Sequence, residues 1–137
     1  MRRTLSLLVA AAFVLLSGCA TNQRSDLLTT TLNAYESALR WNGFQNAAQF
    51  IEPKMHAEHP ISSLDQSRYE QVKISEYDAG NGPVPAGEGE VQQTVHIGLI
   101  NVHTQSERSI TDHQTWRYDE KTKHWWLISG LPDITQQ

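Results

Sequence analysis

A single cysteine among 137 residues leaves no partner for an intramolecular disulfide, so stability has to come from packing. Basic surplus is also missing: 11 Lys and Arg against 15 Asp and Glu give a formal charge of −4. That excludes the concentrated basic face of a nucleic-acid binder. A long apolar run is missing as well, which makes a bilayer span the weaker reading. Leu5 to Leu16, broken only by Ser6, covers about 18 Å as a helix against ~30 Å of hydrocarbon. Catalytic signatures are absent too, with no strained Gly-x-Ser-x-Gly turn and no pair of histidines at i, i+4. What the chain does have is four Trp, four Tyr and three Phe, large surfaces from which a small core can be built.

The one cysteine stands at a telling place. Arg2 and Arg3 precede the apolar run, and Leu16-Ser17-Gly18-Cys19 closes it. This resembles the lipobox of bacterial lipoproteins. The small residues that an ordinary signal peptidase requires are set back at Ala10 to Ala12, and a permanent transmembrane helix is the weaker alternative on length. The resemblance implies that the Cys19 thiol takes a diacylglycerol thioether, that the peptide bond before it is cut, and that the new amine is acylated, for example with palmitate. Each buried methylene contributes about 0.8 kcal/mol, so two or three chains hold firmly where one does not. Ala20, rather than an aspartate, points to sorting to the periplasmic face of the outer membrane. Removing residues 1–18 takes away two arginines and lowers the formal charge from −4 to −6. The expected organisation is a lipoprotein signal peptide over 1–18, the lipidated Cys19 with a short tether over 19–25, and one domain over 26–137.

Ser25 is the expected N-cap of a first helix, with Asp26 in its first turn. Leu28, Leu32, Tyr35 and Leu39 then recur at helical spacing, widened by Leu27, Thr31, Ala34 and Ala38, and Asn42-Gly43 ends the helix. A second helix over Phe44 to Ile51 stops at Glu52-Pro53, and Pro53 opens a third turn of helix to Glu58. His56 and His59 lack metal-ligand spacing and read as solvated surface.

Beyond Ile61 the period turns to alternation, with a strand over Tyr69 to Tyr77 carrying Val72 and Ile74 on one face. Asp78 to Gly89 reads as a flexible glycine- and proline-rich loop. Strands at Val91–His103 and Arg108–Tyr118 flank Thr104 to Glu107, and a last strand follows over Lys123 to Ser129. Pairing His103 with Arg108 sets Leu99 opposite Asp112 and Val95 opposite Trp116. One face then carries Val95, Ile97, Leu99, Ile110 and Trp116 with the polar Asn101, Asp112 and Gln114; the other carries His96 and His113. Which of Trp125 and Trp126 turns inward depends on a single residue in the last turn.

Two or three N-terminal helices packed on a curved antiparallel sheet of about four strands make an α+β plan. The Tyr35 to Ile51 helix pair with its Ala-Leu-Arg-Trp-Asn-Gly-Phe turn, and Trp116-Arg117-Tyr118-Asp119 returning as Trp125-Trp126-Leu127-Ile128-Ser129, resemble the nuclear transport factor 2-like superfamily, also called ketosteroid-isomerase-like or cystatin-like. The resemblance implies a cone-like sheet around an apolar cavity, and members that catalyse as well as members that only bind. The first expectation is a lipid-anchored envelope lipoprotein with a non-catalytic binding or assembly domain. Its expected partners are the membrane and either another envelope protein or a second copy of itself, with no cofactor, no metal and no nucleic acid. The alternative is a small-molecule-binding or isomerase-like domain. Asp112 would then be the candidate base, with Asn101, Gln114, Trp116 and Tyr118 as pocket lining, since burial in an apolar cavity raises a carboxyl pKa.

Overall fold

The structure, a computed structural model, describes residues 20–136 in full. The leader expected over 1–18, its Leu16, Ser17 and Gly18, and Cys19 lie outside the described residues. The architecture is α+β: a helix on the N-terminal side packs on a curled antiparallel sheet of four to five strands, a half-barrel. Among the described residues no helix is long and apolar enough to cross a membrane.

Helix α1 (Arg2–Ser37) runs into a π-helical turn, Ala38–Asn42, which Gly43 ends at φ +81°. Ser25 lies inside α1 rather than at its N-cap, because nothing from Thr21 to Arg24 breaks a helix. Arg24 already belongs to the packed domain. Its guanidinium lies 4.5 Å over the Tyr118 ring and pairs with Glu120, while its carbonyl accepts the Trp125 indole N–H at 3.1 Å. The apolar stripe of α1 holds at Leu27, Leu28, Leu32, Tyr35, Ala38 and Leu39, but Ala34 is exposed.

Helix α2 (Phe44–Ala47) and a 3-10 turn, Ala48–Phe50, lead to Ile51, and Pro53 opens α3 (Pro53–Glu58). Helix α4 (Ser63–Tyr69) takes the place of the expected start of a strand at Tyr69. Its cause is local: the Ser62 hydroxyl caps the helix by accepting from Asp65 N at 3.1 Å, and it donates to Asp65 Oδ2 at 2.6 Å. Strand β1 (Val72–Asp78) therefore begins three residues later than expected.

The sheet order is β1, β3 (Glu90–Asn101), β4 (Glu107–Asp119), β5 (His124–Leu127). A short β2 (Val84–Gly87) pairs with the start of β3, inside the stretch read as loop. All four of its residues are exposed, so it is held by backbone pairing and leaves no alternation to read. In the β3–β4 hairpin Val95 faces Asp112 and Leu99 faces Arg108, four residues along β4 from the expected pairing. Asn101 sets this register. Its Oδ1 accepts from His103 N and Thr104 N, and its own N–H bonds Ser106 O at 2.9 Å, so the turn closes before His103 can pair. A shift of four preserves parity, and the two faces survive it. In the last hairpin Tyr118 pairs with Trp125 and Arg117 with Trp126, which turns Trp125 inward and Trp126 outward. The core lies between α1 and the inner face: Tyr35, Leu39, Val95, Ile97, Leu99, Trp116 and Leu127 are fully buried.

Candidate functional site: a buried polar cluster and a groove beneath an exposed tryptophan

Three polar side chains, Gln93, Asp112 and Gln114, sit in the apolar layer between helix and sheet. Strand parity puts them there, since all three share the inward face with Val95 and Trp116. Gln114 is the hub. Its Oε1 accepts from Gln93 Nε2 at 2.8 Å and from Trp116 Nε1 at 3.2 Å. Its Nε2 donates to Asp112 Oδ2 at 2.8 Å and to the Tyr77 hydroxyl at 3.1 Å. Both amide hydrogens and both carbonyl lone pairs are engaged.

Beside this network Tyr35 is fully buried, and its hydroxyl has no hydrogen-bond partner. Its ring is fixed edge-on by Trp116 at 5.1 Å and by Phe50 at 5.6 Å. Burial raises the pKa of the Tyr35 and Tyr77 phenols, as it does that of Tyr69, pushed up to about 12, and the Asp112 carboxylate adds repulsion to each. Asp112 itself is raised from the ordinary carboxylate value, chiefly by burial and against the opposing pull of the Gln114 amide and His113. Such a carboxyl resists ionisation and could act as a base only towards something able to reach it.

Five surface clefts of about 210 to 600 Å³ are lined by described residues, and Asp112 lines none of these five. Asp112, Gln114 and Trp116 form one bonded group, whereas the other expected lining residues lie apart. Asn101 builds the β3–β4 turn and borders a cleft of about 520 Å³ with Arg68 and Arg108. Tyr118, at the other end of β4, is half-buried against Trp125 and Arg24. Tyr35, Tyr77 and Gln93 were not among the expected site residues. Gln93 was within reach of the parity rule, being in step with Val95. Tyr77 was not, because a bulge between Ile74 and Glu76 breaks the alternation of β1.

His56 and His59 are exposed. His96 and His113 share the outer face as expected, but each Nδ1 lies near a cross-strand threonine hydroxyl, Thr111 at 3.3 Å and Thr94 at 3.1 Å. Among the described residues no three His, Cys, Asp or Glu side chains converge as a metal site would require.

The largest of the five clefts, about 600 Å³, runs beneath the π-helical turn. Its floor is Phe44 stacked on Tyr69, ring centroids 4.3 Å apart and 10° from parallel, continued by Val72 and Ile74. Its rim carries Asn42, Gln45, Asn46 and Gln66, and its charged members are Arg40, Glu70 and Lys73. Trp41 stands at this rim 77 % exposed. The π-helical turn keeps Leu39 inside while turning its neighbour's neighbour out to solvent.

No family model, no curated protein and no solved structure matches this chain. The functional reading therefore rests on the residues themselves.

Proposed function

We propose that this chain is a lipoprotein of the bacterial envelope, held by acyl chains on Cys19 at the periplasmic face of the outer membrane, whose domain is a non-catalytic binding or assembly module. The observation that carries the proposal is Leu16-Ser17-Gly18-Cys19 directly behind an apolar run with two arginines before it. Arg24 supports it. Five residues after Cys19 the chain is already docked on the β4–β5 hairpin, so even a fully extended link holds this edge of the domain within about 18 Å of the lipid. From Arg24 to Trp41 the helix then rises about 25 Å, carrying the groove away from the anchored end. The half-barrel with α1 across it fits the cone-like plan of the nuclear transport factor 2-like proteins, and pairing of two copies through the outer sheet face belongs to the same proposal.

The binding reading is favoured over an isomerase-like one by the saturation of Gln114 and by the absence of Asp112 from the walls of the five clefts. One observation keeps the second reading in view: the partnerless Tyr35 hydroxyl beside a carboxyl of raised pKa. Two experiments test the first reading. Labelling with a fatty-acid analogue should mark the wild-type chain and leave Cys19→Ala unmarked. Cross-linking in intact envelopes should capture a neighbour that the Cys19→Ala chain loses; equal labelling, or no neighbour above that control, would overturn it.

A further inference from the structure

We infer that the groove beneath Trp41 is a binding site for a neutral saccharide, an inference that rests on the binding-module reading and names its ligand class. An exposed tryptophan is costly to leave in water, and this one is also braced. Glu36 holds Arg40 at 3.1 Å, and the Arg40 guanidinium lies 5.4 Å from the centroid of the Trp41 ring. One indole face is thereby backed, and the ring is held in place for a ligand on the other. Preorganisation of this kind lowers the ordering cost of binding.

The lining chooses the ligand. Neutral amides dominate the rim, and among the described residues the side chains of Asn42, Gln45 and Gln66 make no hydrogen bond, while Asn46 Nδ2 donates to Asn42 O at 2.6 Å. Amides offer a donor and an acceptor side by side, which suits vicinal hydroxyls. Lys73 and Glu70 cancel in charge, and Arg40 is neutralised by Glu36, so nothing in the groove selects a strongly charged ligand. A fatty chain would need closed apolar walls, and here the apolar surface is the floor and the single Trp41 ring at the rim. A pyranose ring has what the groove lacks: an apolar C–H face to lie on an aromatic plate and a hydroxyl edge for the amides. The volume is that of a small-molecule site rather than of a protein interface.

The test titrates the full mature lipoprotein, in a zwitterionic detergent free of sugar, with chitotetraose and separately with cellotetraose, following tryptophan fluorescence and heat. Saturable binding of at least one tetrasaccharide is expected, weakened at least tenfold by Trp41→Ala and weakened also by Gln45→Ala, with both variants melting within a few degrees of wild type. The Cys19→Ala chain, which carries no lipid, should bind the sugar equally, so that loss of the anchor and loss of the saccharide site are separately visible. No saturable binding of either sugar at millimolar concentration, or binding that Trp41→Ala leaves unchanged, overturns the inference. So does preferential binding of a charged peptide in the same groove.

Discussion

Replacing Tyr35 by phenylalanine removes a single oxygen from the most enclosed part of the molecule. The hydroxyl is fully buried and has no partner, so in the folded state it has exchanged water for nothing. A buried polar group left unsatisfied costs about 1–3 kcal/mol. The ring contacts that matter, Trp116 at 5.1 Å and Phe50 at 5.6 Å, are edge-on to the tyrosine ring and survive the substitution. Tyr35→Phe is therefore expected to stabilise the domain by about 1–3 kcal/mol, which at roughly 4 °C per kcal/mol for a chain of this size raises Tm by about 4–12 °C. Urea unfolding followed by tryptophan fluorescence measures it, with an unchanged slope required if the midpoint shift is to be read as stability. A loss of about 1 kcal/mol or more would refute the reasoning. It would mean that the hydroxyl is bonded in the folded protein, to an internal water or to Asp112, and that the interior is a polar site rather than a plug.

Asp112 gives a pH-dependent companion. Its folded-state pKa lies above the ordinary 3.8, so between that value and its raised pKa the native state holds more protons than the unfolded chain, and stability falls as pH rises through this window. Asp112→Asn keeps an acceptor for Gln114 and should gain on wild type as pH increases from 3 to 7; a difference that is flat, or that shrinks with pH, counts against a desolvated carboxyl. Gly98 lies across from the β1 bulge, where an added Cβ would come 2.5 Å from Ser75 Oγ and 3.2 Å from the Glu76 backbone N. Gly98→Ala should destabilise by about 1–3 kcal/mol in the same assay, and a neutral result would show that the bulge yields freely.

The faces of the sheet were legible in the sequence because side chains alternate and the error in the β3–β4 pairing was even. Val95, Asp112, Gln114 and Trp116 kept company inward although none has the cross-strand neighbour expected of it. Register itself was not legible, since it hangs on the Asn101 carboxamide capping two N–H groups beyond the strand, a feature that no hydrophobic pattern reports. Helix α4 was written in Ser62-x-x-Asp65, a capping signal masked by the alternation of the residues that follow. Strand β2 carried no signal at all, being exposed on every residue and rich in glycine and proline. Of the site, the buried carboxyl and its amide partner were within reach of the parity argument. The orphaned Tyr35 hydroxyl and the outward turn of Trp41 depend on how α1 meets the sheet, and sequence spacing alone does not reach them.

We propose that acyl chains on the Cys19 residue hold this domain at a lipid surface. Intact-mass and peptide spectrometry of the protein purified from its native envelope tests it directly. The predicted species begins at Cys19 and carries a diacylglyceryl thioether and an acylated amine; a chain that still begins at Met1, or one with a free Cys19 thiol, would rule out the lipid anchor.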